Sequence, residues 1–278
     1  MDDLVLLKQL PPVLFDEVTR DLASYTVAFV RVDEIGDGHR KGQLLGSGIL
    51  VSVNDTRAIL TADHVLEVLP KTGPLGVFLE KTSEPRTLET EGLIFRSIAH
   101  GKGDAEGPDM GAVIIAPHVG TAIAARKSFV RLDSQRDRML TDPPELRDGV
   151  WFAQGFLEER TVVIPDPDGS GTTTRFYNFS GVGGPDEALE VAGYDYFEFP
   201  VTHESRSEAP LSWGGMSGGG LWQVPLERQG EGFVYLRPLL SGVLFYQWPT
   251  TDTQCGVRAH GRKSIYDIAY RAISGREP

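Results

Sequence analysis

The sequence predicts an all-β fold made of two small barrels lying side by side, with a short helix at each end. Three observations predict it. Gly (32) and Pro (18) are abundant among the 278 residues, and a chain rich in turns suits strands better than helices. Apolar residues recur in short strand-like runs from Tyr25 to Tyr246. Those runs form two clusters, parted by a polar stretch, 132–149, that holds Asp, Arg and the pair Pro143-Pro144.

The elements follow in order. Pro11 and Pro12 suit a helix start, and Leu14, Val18 and Leu22 recur every fourth residue, so the pattern predicts a helix over 12–23. Tyr25–Val32 is rich in β-branched and aromatic residues and reads as a strand. Gly48–Val53 and Arg57–Thr61 flank Asn54-Asp55 and read as a hairpin. Leu75–Leu79, Leu93–Ile98 and Gly111–Ala116 complete the first cluster. The second holds Val150–Phe156, Arg160–Ile164, Thr172–Phe179, Tyr194–Val201, Gly219–Val224, Phe233–Leu236 and Leu239–Tyr246. Asp166-Pro167-Asp168-Gly169 begins like a calcium loop but has no bidentate acid at its end, so it reads as a plain turn. Ile265, Ile268, Ala269, Ala272 and Ile273 form one apolar stripe, which predicts a closing helix.

Composition narrows the function. Hydrophobic residues at 40% and charged residues at 24% are ordinary for a globular protein with a sizeable core. A formal net charge of -12 repels polyanions, and Arg258–Lys263 is too short a basic stretch to offset it, so nucleic acid is not an expected partner. No run reaches the roughly 18 apolar residues of a membrane span. Cys255 is the only cysteine, so no intrachain disulfide calls for an oxidising compartment. The start Met1-Asp2-Asp3 is acidic, unlike a secretory signal, and the expected location is cytoplasmic.

Trp213-Gly214-Gly215-Met216-Ser217-Gly218-Gly219-Gly220 carries the strongest chemical signal. Glycine allows positive φ and close approach, which a serine nucleophile needs for an exposed hydroxyl on a tight turn. The N–H groups of Gly215 and Ser217 are then placed to meet a developing oxyanion. A phosphate-binding loop would need a Lys-Ser/Thr pair after the glycines, and none follows. A serine hydroxyl also needs a general base. Of His39, His64, His100, His118, His203 and His260, His64 alone follows a hydrophobic strand, Ala58–Thr61, at a strand-to-turn junction.

Leu60-Thr61-Ala62-Asp63-His64-Val65 resembles the Thr-Ala-Ala-His segment of trypsin-like (chymotrypsin-fold) serine peptidases, in particular the bacterial cytosolic type. Gly46-Ser47-Gly48-Ile49-Leu50-Val51 is similar to the strand before it, Asp109-Met110-Gly111-Ala112-Val113 to the segment with the triad Asp, and Gly215-Met216-Ser217-Gly218-Gly219 to the nucleophile motif. The order His, Asp, Ser is also the family's. The resemblance implies a chymotrypsin-like double barrel of two six-stranded antiparallel barrels. It divides the chain into a helical extension (1–24), a first barrel with His64 and Asp109 (25–135), a linker (136–149), a second barrel with Ser217 (150–262) and a C-terminal helix (263–278).

The resemblance also implies the roles. Ser217 attacks a peptide carbonyl, His64 relays the proton, and Asp109 orients His64 and stabilises its imidazolium. Asp104 is the alternative carboxylate; Asp109 is preferred because an apolar strand follows at once. Leu211 marks the base of the substrate pocket, with Phe245, Tyr246 and Gln247 on one wall and Gly256-Val257 on the other. No acid occupies the base, so an uncharged substrate side chain is expected. No cofactor or metal is expected. The expected partners are a protein or peptide substrate and a regulatory protein. Met216 departs from the digestive members, whose Asp at that position pairs with a newly cut N-terminus. Two other readings stand beside this one. Ser217, Asp252 and His260 fall in the chain order of an α/β-hydrolase, and the same barrels without activity would form a binding module.

Overall fold

The computed structural model describes residues 11–35, 39–79, 86–100, 106–165, 172–185, 187–202, 210, 212–230, 232–248 and 254–275. Helix α1 (Pro12–Ala23) opens the chain, with proline in its first turn, where a backbone N–H has no helical partner to lose. Leu14, Val18 and Leu22 are buried as their spacing predicts.

The first sheet holds β1 (Thr26–Ile35), β2 (His39–Val53), β3 (Thr56–Thr61), β4 (Pro74–Phe78), β5 (Arg86–Glu89), β6 (Leu93–Ala99), β7 (Met110–Ile115) and β8 (Val130–Arg131). Its order is β5-β4-β1-β2-β3-β7-β6, curled into a half-barrel, with β8 paired parallel to β2. Asn54-Asp55 makes the expected tight turn, and Asn54 takes φ 50, a left-handed value that asparagine tolerates. Short helices α2 (Asp63–Val68) and α3 (Pro117–Ala124) follow β3 and β7.

The polar stretch read as a linker contains a helix, α4 (Leu132–Thr141). Its strongly polar sequence hid it; only Leu132, Gln135 and Met139 face inward. The second sheet runs β12-β9-β15-β18-β19-β14-β13. Its strands are β9 (Val150–Phe156), β12 (Asn178–Gly183), β13 (Ala188–Val191), β14 (Tyr194–Thr202), β15 (Gly220–Val224), β18 (Leu239–Gln247) and β19 (Gln254–His260). Two ribbons stand apart, β10 (Val162–Pro165) with β11 (Thr172–Arg175), and β16 (Leu226–Gln229) with β17 (Gly232–Tyr235). The Asp166–Gly169 turn lies outside the described residues.

The architecture is the chymotrypsin-like all-β kind, with a different strand count from the one expected. Among the described residues eight and seven strands stand where six and six were expected; short strands such as β5 and β8 carry too few apolar residues to announce themselves. One apolar cluster packs both sheets together and takes in both end helices, from Leu14 and Val18 through Ile49, Phe152 and Trp222 to Ile265 and Tyr266. Each such side chain contributes about 1.5–3 kcal/mol by leaving water. The closing helix departs from its expected stripe. Ser264–Ala269 winds as a π-helix before α5 (Tyr270–Ser274), and the wider turn brings Tyr266 inward while leaving Ile268 and Ala272 half-buried.

The antiparallel sheets remove the α/β-hydrolase reading, which needs strands alternating with helices around a parallel sheet. Among the described residues no helix is long and apolar enough to cross a membrane.

Candidate active site

Strand register brings the first two site residues together. β3 and β7 are antiparallel, with Thr61 opposite Gly111. The chain just after β3 and the chain just before β7 therefore emerge at one end of the sheet. His64 sits there in the first turn of α2, and Asp109 immediately precedes β7. The His64 Nδ1–H meets Asp109 Oδ2 at 2.5 Å, and the His64 backbone N–H donates to Asp109 Oδ1 at 2.9 Å. Asp109 is fully buried, whereas the His64 side chain is 31% exposed. The buried carboxylate fixes Nδ1 as the protonated nitrogen and leaves Nε2 as the basic one.

A second histidine completes this corner. The Asp109 N–H donates to His260 Nε2 at 2.8 Å. An acceptor nitrogen carries no proton, so His260 is the neutral Nδ1–H tautomer, and that N–H is buried without a partner among the described residues. Its ring packs against Tyr196 at 5.0 Å, Phe245 at 4.8 Å and Tyr194 at 5.7 Å. Burial lowers the His260 pKa from 6.5 to about 4, against the opposing pull of Asp109.

Ser217 lies between β14 and β15 in a loop that leans on the first sheet. Gly215 and Gly218 take φ 89 and 85, values that side chains rarely adopt. A Cβ at Gly218 would stand 2.1 Å from both Thr61 Oγ1 and the Ser47 carbonyl. A Cβ at Gly46 would stand 2.8 Å from the Val65 methyls and 3.3 Å from the Ser217 carbonyl. The loop is thus pressed against the strand end that carries His64. Among the described residues no hydrogen bond joins the Ser217 hydroxyl to His64; in unliganded sites such bonds are often long and tighten on binding.

The backbone of this loop is anchored on its carbonyl side. The Gly214 carbonyl accepts the Glu158 N–H at 2.8 Å, and the Met216 carbonyl accepts the Gly219 N–H at 2.7 Å. Each carbonyl shares a planar trans peptide with the next N–H, which points the opposite way. The Gly215 and Ser217 N–H groups are therefore aimed by bonds made elsewhere, and neither has a hydrogen-bond acceptor among the described residues. Met216 is buried with Trp213, Leu221 and Leu244, so an apolar plug occupies the position before Ser217.

The remaining expected residues are scattered in role. Phe245 is buried on the His260 ring. Tyr246 is half-buried, edge-on to Trp248 at 5.3 Å. Gln247 Oε1 accepts the Trp213 N–H at 2.9 Å, tying β18 to the Ser217 loop. Gly256 is buried beside Trp248. Leu211, Asp104 and Asp252 lie outside the described residues. Asp63, the neighbour of His64, is buried and bonded to His100 Nδ1 at 2.9 Å. With Glu67 these residues put three ligating atoms within 4.8 Å. Lys71 stands near enough to feel both carboxylates, while burial lowers its pKa against their pull.

Sequence reading missed Ser47 and the present place of His260. A serine between two glycines in a buried strand was the available signal for the first. His260 is one of six histidines in the sequence and fits the α/β-hydrolase order, but nothing near it in sequence marks its place behind Asp109.

No protein-family model matches the chain, and no curated protein matches it. Among solved structures it is similar to the HtrA-type protease AlgW with a decapeptide, at 14% identity over 94% of this chain and 67% of that one, TM-score 0.46. A structure described for aromatic interactions in coupled folding and binding of the disordered Sesbania mosaic virus VPg protein matches at 14% identity over 88% and 90%, TM-score 0.43. The protease of tobacco vein mottling virus matches at 10% identity over 86% and 78%, TM-score 0.38.

Proposed function

We propose that this chain is a serine endopeptidase that cleaves peptide bonds through Ser217, His64 and Asp109. Ser217 Oγ attacks the substrate carbonyl carbon while His64 Nε2 takes the hydroxyl proton. The oxyanion of the tetrahedral intermediate is met by the Gly215 and Ser217 N–H groups; one such donor is typically worth about 2.7–4 kcal/mol. The intermediate collapses to an acyl-enzyme as His64 returns the proton to the leaving amine. Water, activated by His64, then releases the acid and restores Ser217. Asp109 holds the tautomer and stabilises the imidazolium. The positions that the resemblance implies for the substrate pocket hold no acid, which suits a protein or peptide substrate with an uncharged side chain at the cleavage site, and the single Cys255 suits a cytoplasmic location.

The observation that carries this reading is the 2.5 Å contact between His64 Nδ1 and the buried Asp109 carboxylate, which orients a base. The test is labelling with a fluorophosphonate probe, followed by cleavage of a peptide library. Wild-type protein is expected to label and Ser217→Ala to stay dark. A library profile dominated by Arg or Lys at the cleavage site would contradict the uncharged preference. One observation favours the inactive binding module instead: the absence, among the described residues, of a Ser217–His64 hydrogen bond. Unlabelled wild-type protein would support that module.

A further inference from the structure

Met216 leaves the Ser217 loop without an ion pair at the position where digestive peptidases carry an Asp, so some other group must hold its peptides. Ser47 of β2 is fully buried and spends its polar atoms on that task. Its N–H donates to the Ser217 carbonyl at 2.8 Å. Its hydroxyl accepts the Phe156 N–H at 2.8 Å and lies 2.7 Å from the Gly215 carbonyl. A hydroxyl has one proton. With an N–H already pointing at the oxygen from Phe156, that proton goes to Gly215. Its own carbonyl is held by Thr61 Oγ1 at 2.7 Å, three residues before His64.

The consequence is geometric. The Gly215 carbonyl is pinned by Ser47 Oγ, and the N–H of the same peptide, on Met216, donates to the Trp213 carbonyl at 3.0 Å. The Ser217 carbonyl is pinned by Ser47 N–H. Ser47 thus grips the backbone on both sides of Met216: the Gly215 carbonyl lies between the two N–H groups proposed to meet the oxyanion, and the Ser217 carbonyl just beyond the second. The hydroxyl also joins β9 of the second sheet to β2 of the first, so the grip is referenced to both sheets at once.

We propose that Ser47 is a positioning residue that keeps the Gly215 and Ser217 donors aligned without any activating ion pair, so that the site is assembled in the chain as it folds. The proposal rests on the reading of Ser217 as nucleophile. Losing the hydroxyl frees the Gly215 carbonyl to turn, and a displacement near 1 Å at such a site can cost about 100-fold in rate. Substrate contacts remote from the oxyanion stay in place, so the loss falls on kcat and not on KM.

The test compares wild type, Ser47→Ala, Ser47→Cys and Ser47→Thr in hydrolysis of p-nitrophenyl butyrate, with thermal unfolding and fluorophosphonate labelling alongside. Ser47→Ala is expected to lower kcat about 10- to 100-fold with KM within about twofold of wild type. Ser47→Thr, which keeps the hydroxyl, is expected to regain most of the loss, whatever its melting temperature. Wild-type kcat in Ser47→Ala, or equal loss in Ser47→Thr, overturns the role. If Ser47→Ala does not fold, Ser47→Cys against Ser47→Thr decides by the same criterion. Failure of wild-type protein to label overturns the nucleophile reading and this role together; normal labelling with an unaffected Ser47→Ala overturns this role alone.

Discussion

The backbone N–H of Asp109 donates to Nε2 of the buried His260 at 2.8 Å. The carboxylate that meets His64 is therefore backed, through its own peptide, by a second histidine from the other sheet. The contact spans 151 positions of sequence and joins the residue before β7 to the last residue of β19.

Replacing the carboxylate tests the His64 contact. Asp109→Asn keeps the size but offers an N–H or a neutral oxygen to Nδ1, so the wrong tautomer becomes available. A change of this type in a serine triad costs about 10⁴-fold in kcat. Steady-state hydrolysis of p-nitrophenyl butyrate measures it, and a loss under tenfold would remove Asp109 from the proposed machinery.

His260→Phe keeps the aromatic packing with Tyr196 and Phe245 but removes the acceptor for the Asp109 N–H. A buried donor left without a partner costs about 1–3 kcal/mol. The expected result is a modest fall in melting temperature and a fall in kcat, with His260→Gln closer to wild type because its amide oxygen can accept. Equal kcat in both variants and wild type would confine His260 to packing.

His260 also sets an acid limit. Its pKa is lowered from 6.5 to about 4, so between those values the unfolded chain binds a proton that the folded chain refuses. Stability is unaffected above pH 6.5, falls as pH drops through this window, and levels off below about 4. The full effect is on the order of 3 kcal/mol at 1.36 kcal/mol per pKa unit. Asp109, Tyr194 and Tyr196 are the ionisable groups facing the ring. Urea unfolding at pH 4 and pH 7 is expected to show a smaller pH difference in His260→Phe than in wild type.

Met216→Ala opens a void under the Ser217 loop. Truncating a buried Met typically costs about 2–5 kcal/mol. Chemical denaturation is expected to show that loss, together with slower fluorophosphonate labelling. Unchanged stability would mean that the loop does not depend on its apolar plug.

Gly218→Ala is expected to disable the site. Its φ of 85 is strained for alanine, and the new methyl would lie 2.1 Å from the Ser47 carbonyl. Either the loop moves or the sheets part. Labelling of Ser217 at the wild-type rate in a stable Gly218→Ala protein would contradict this packing.

Much of the molecule was legible because its information is local. Helix α1 appears at residues 12–23, where the spacing of Leu14, Val18 and Leu22 puts it, and the Asn54-Asp55 turn joins the two strands that flank it. The Gly-rich run around Ser217 announced a tight turn with positive φ, since the residues that permit such a backbone are few. What stayed hidden was weakly apolar or nonlocal. Helix α4 reads as a polar connector because only one narrow side of it meets the core, and the π-turns near Tyr266 change a period that the sequence itself does not display.

The sequence by itself determined the all-β class, the two clusters of strands, and the residue types at His64, Asp109 and Ser217. Tertiary structure alone decided that His64 and Asp109 touch, because that contact follows from the register of β3 against β7. It alone decided that His260 stands behind Asp109 and that Ser47 grips the Ser217 loop, each across more than a hundred residues. A hydrogen bond between distant segments leaves no period or spacing in either one. It exists only once the sheets have packed and fixed which strand ends share a corner.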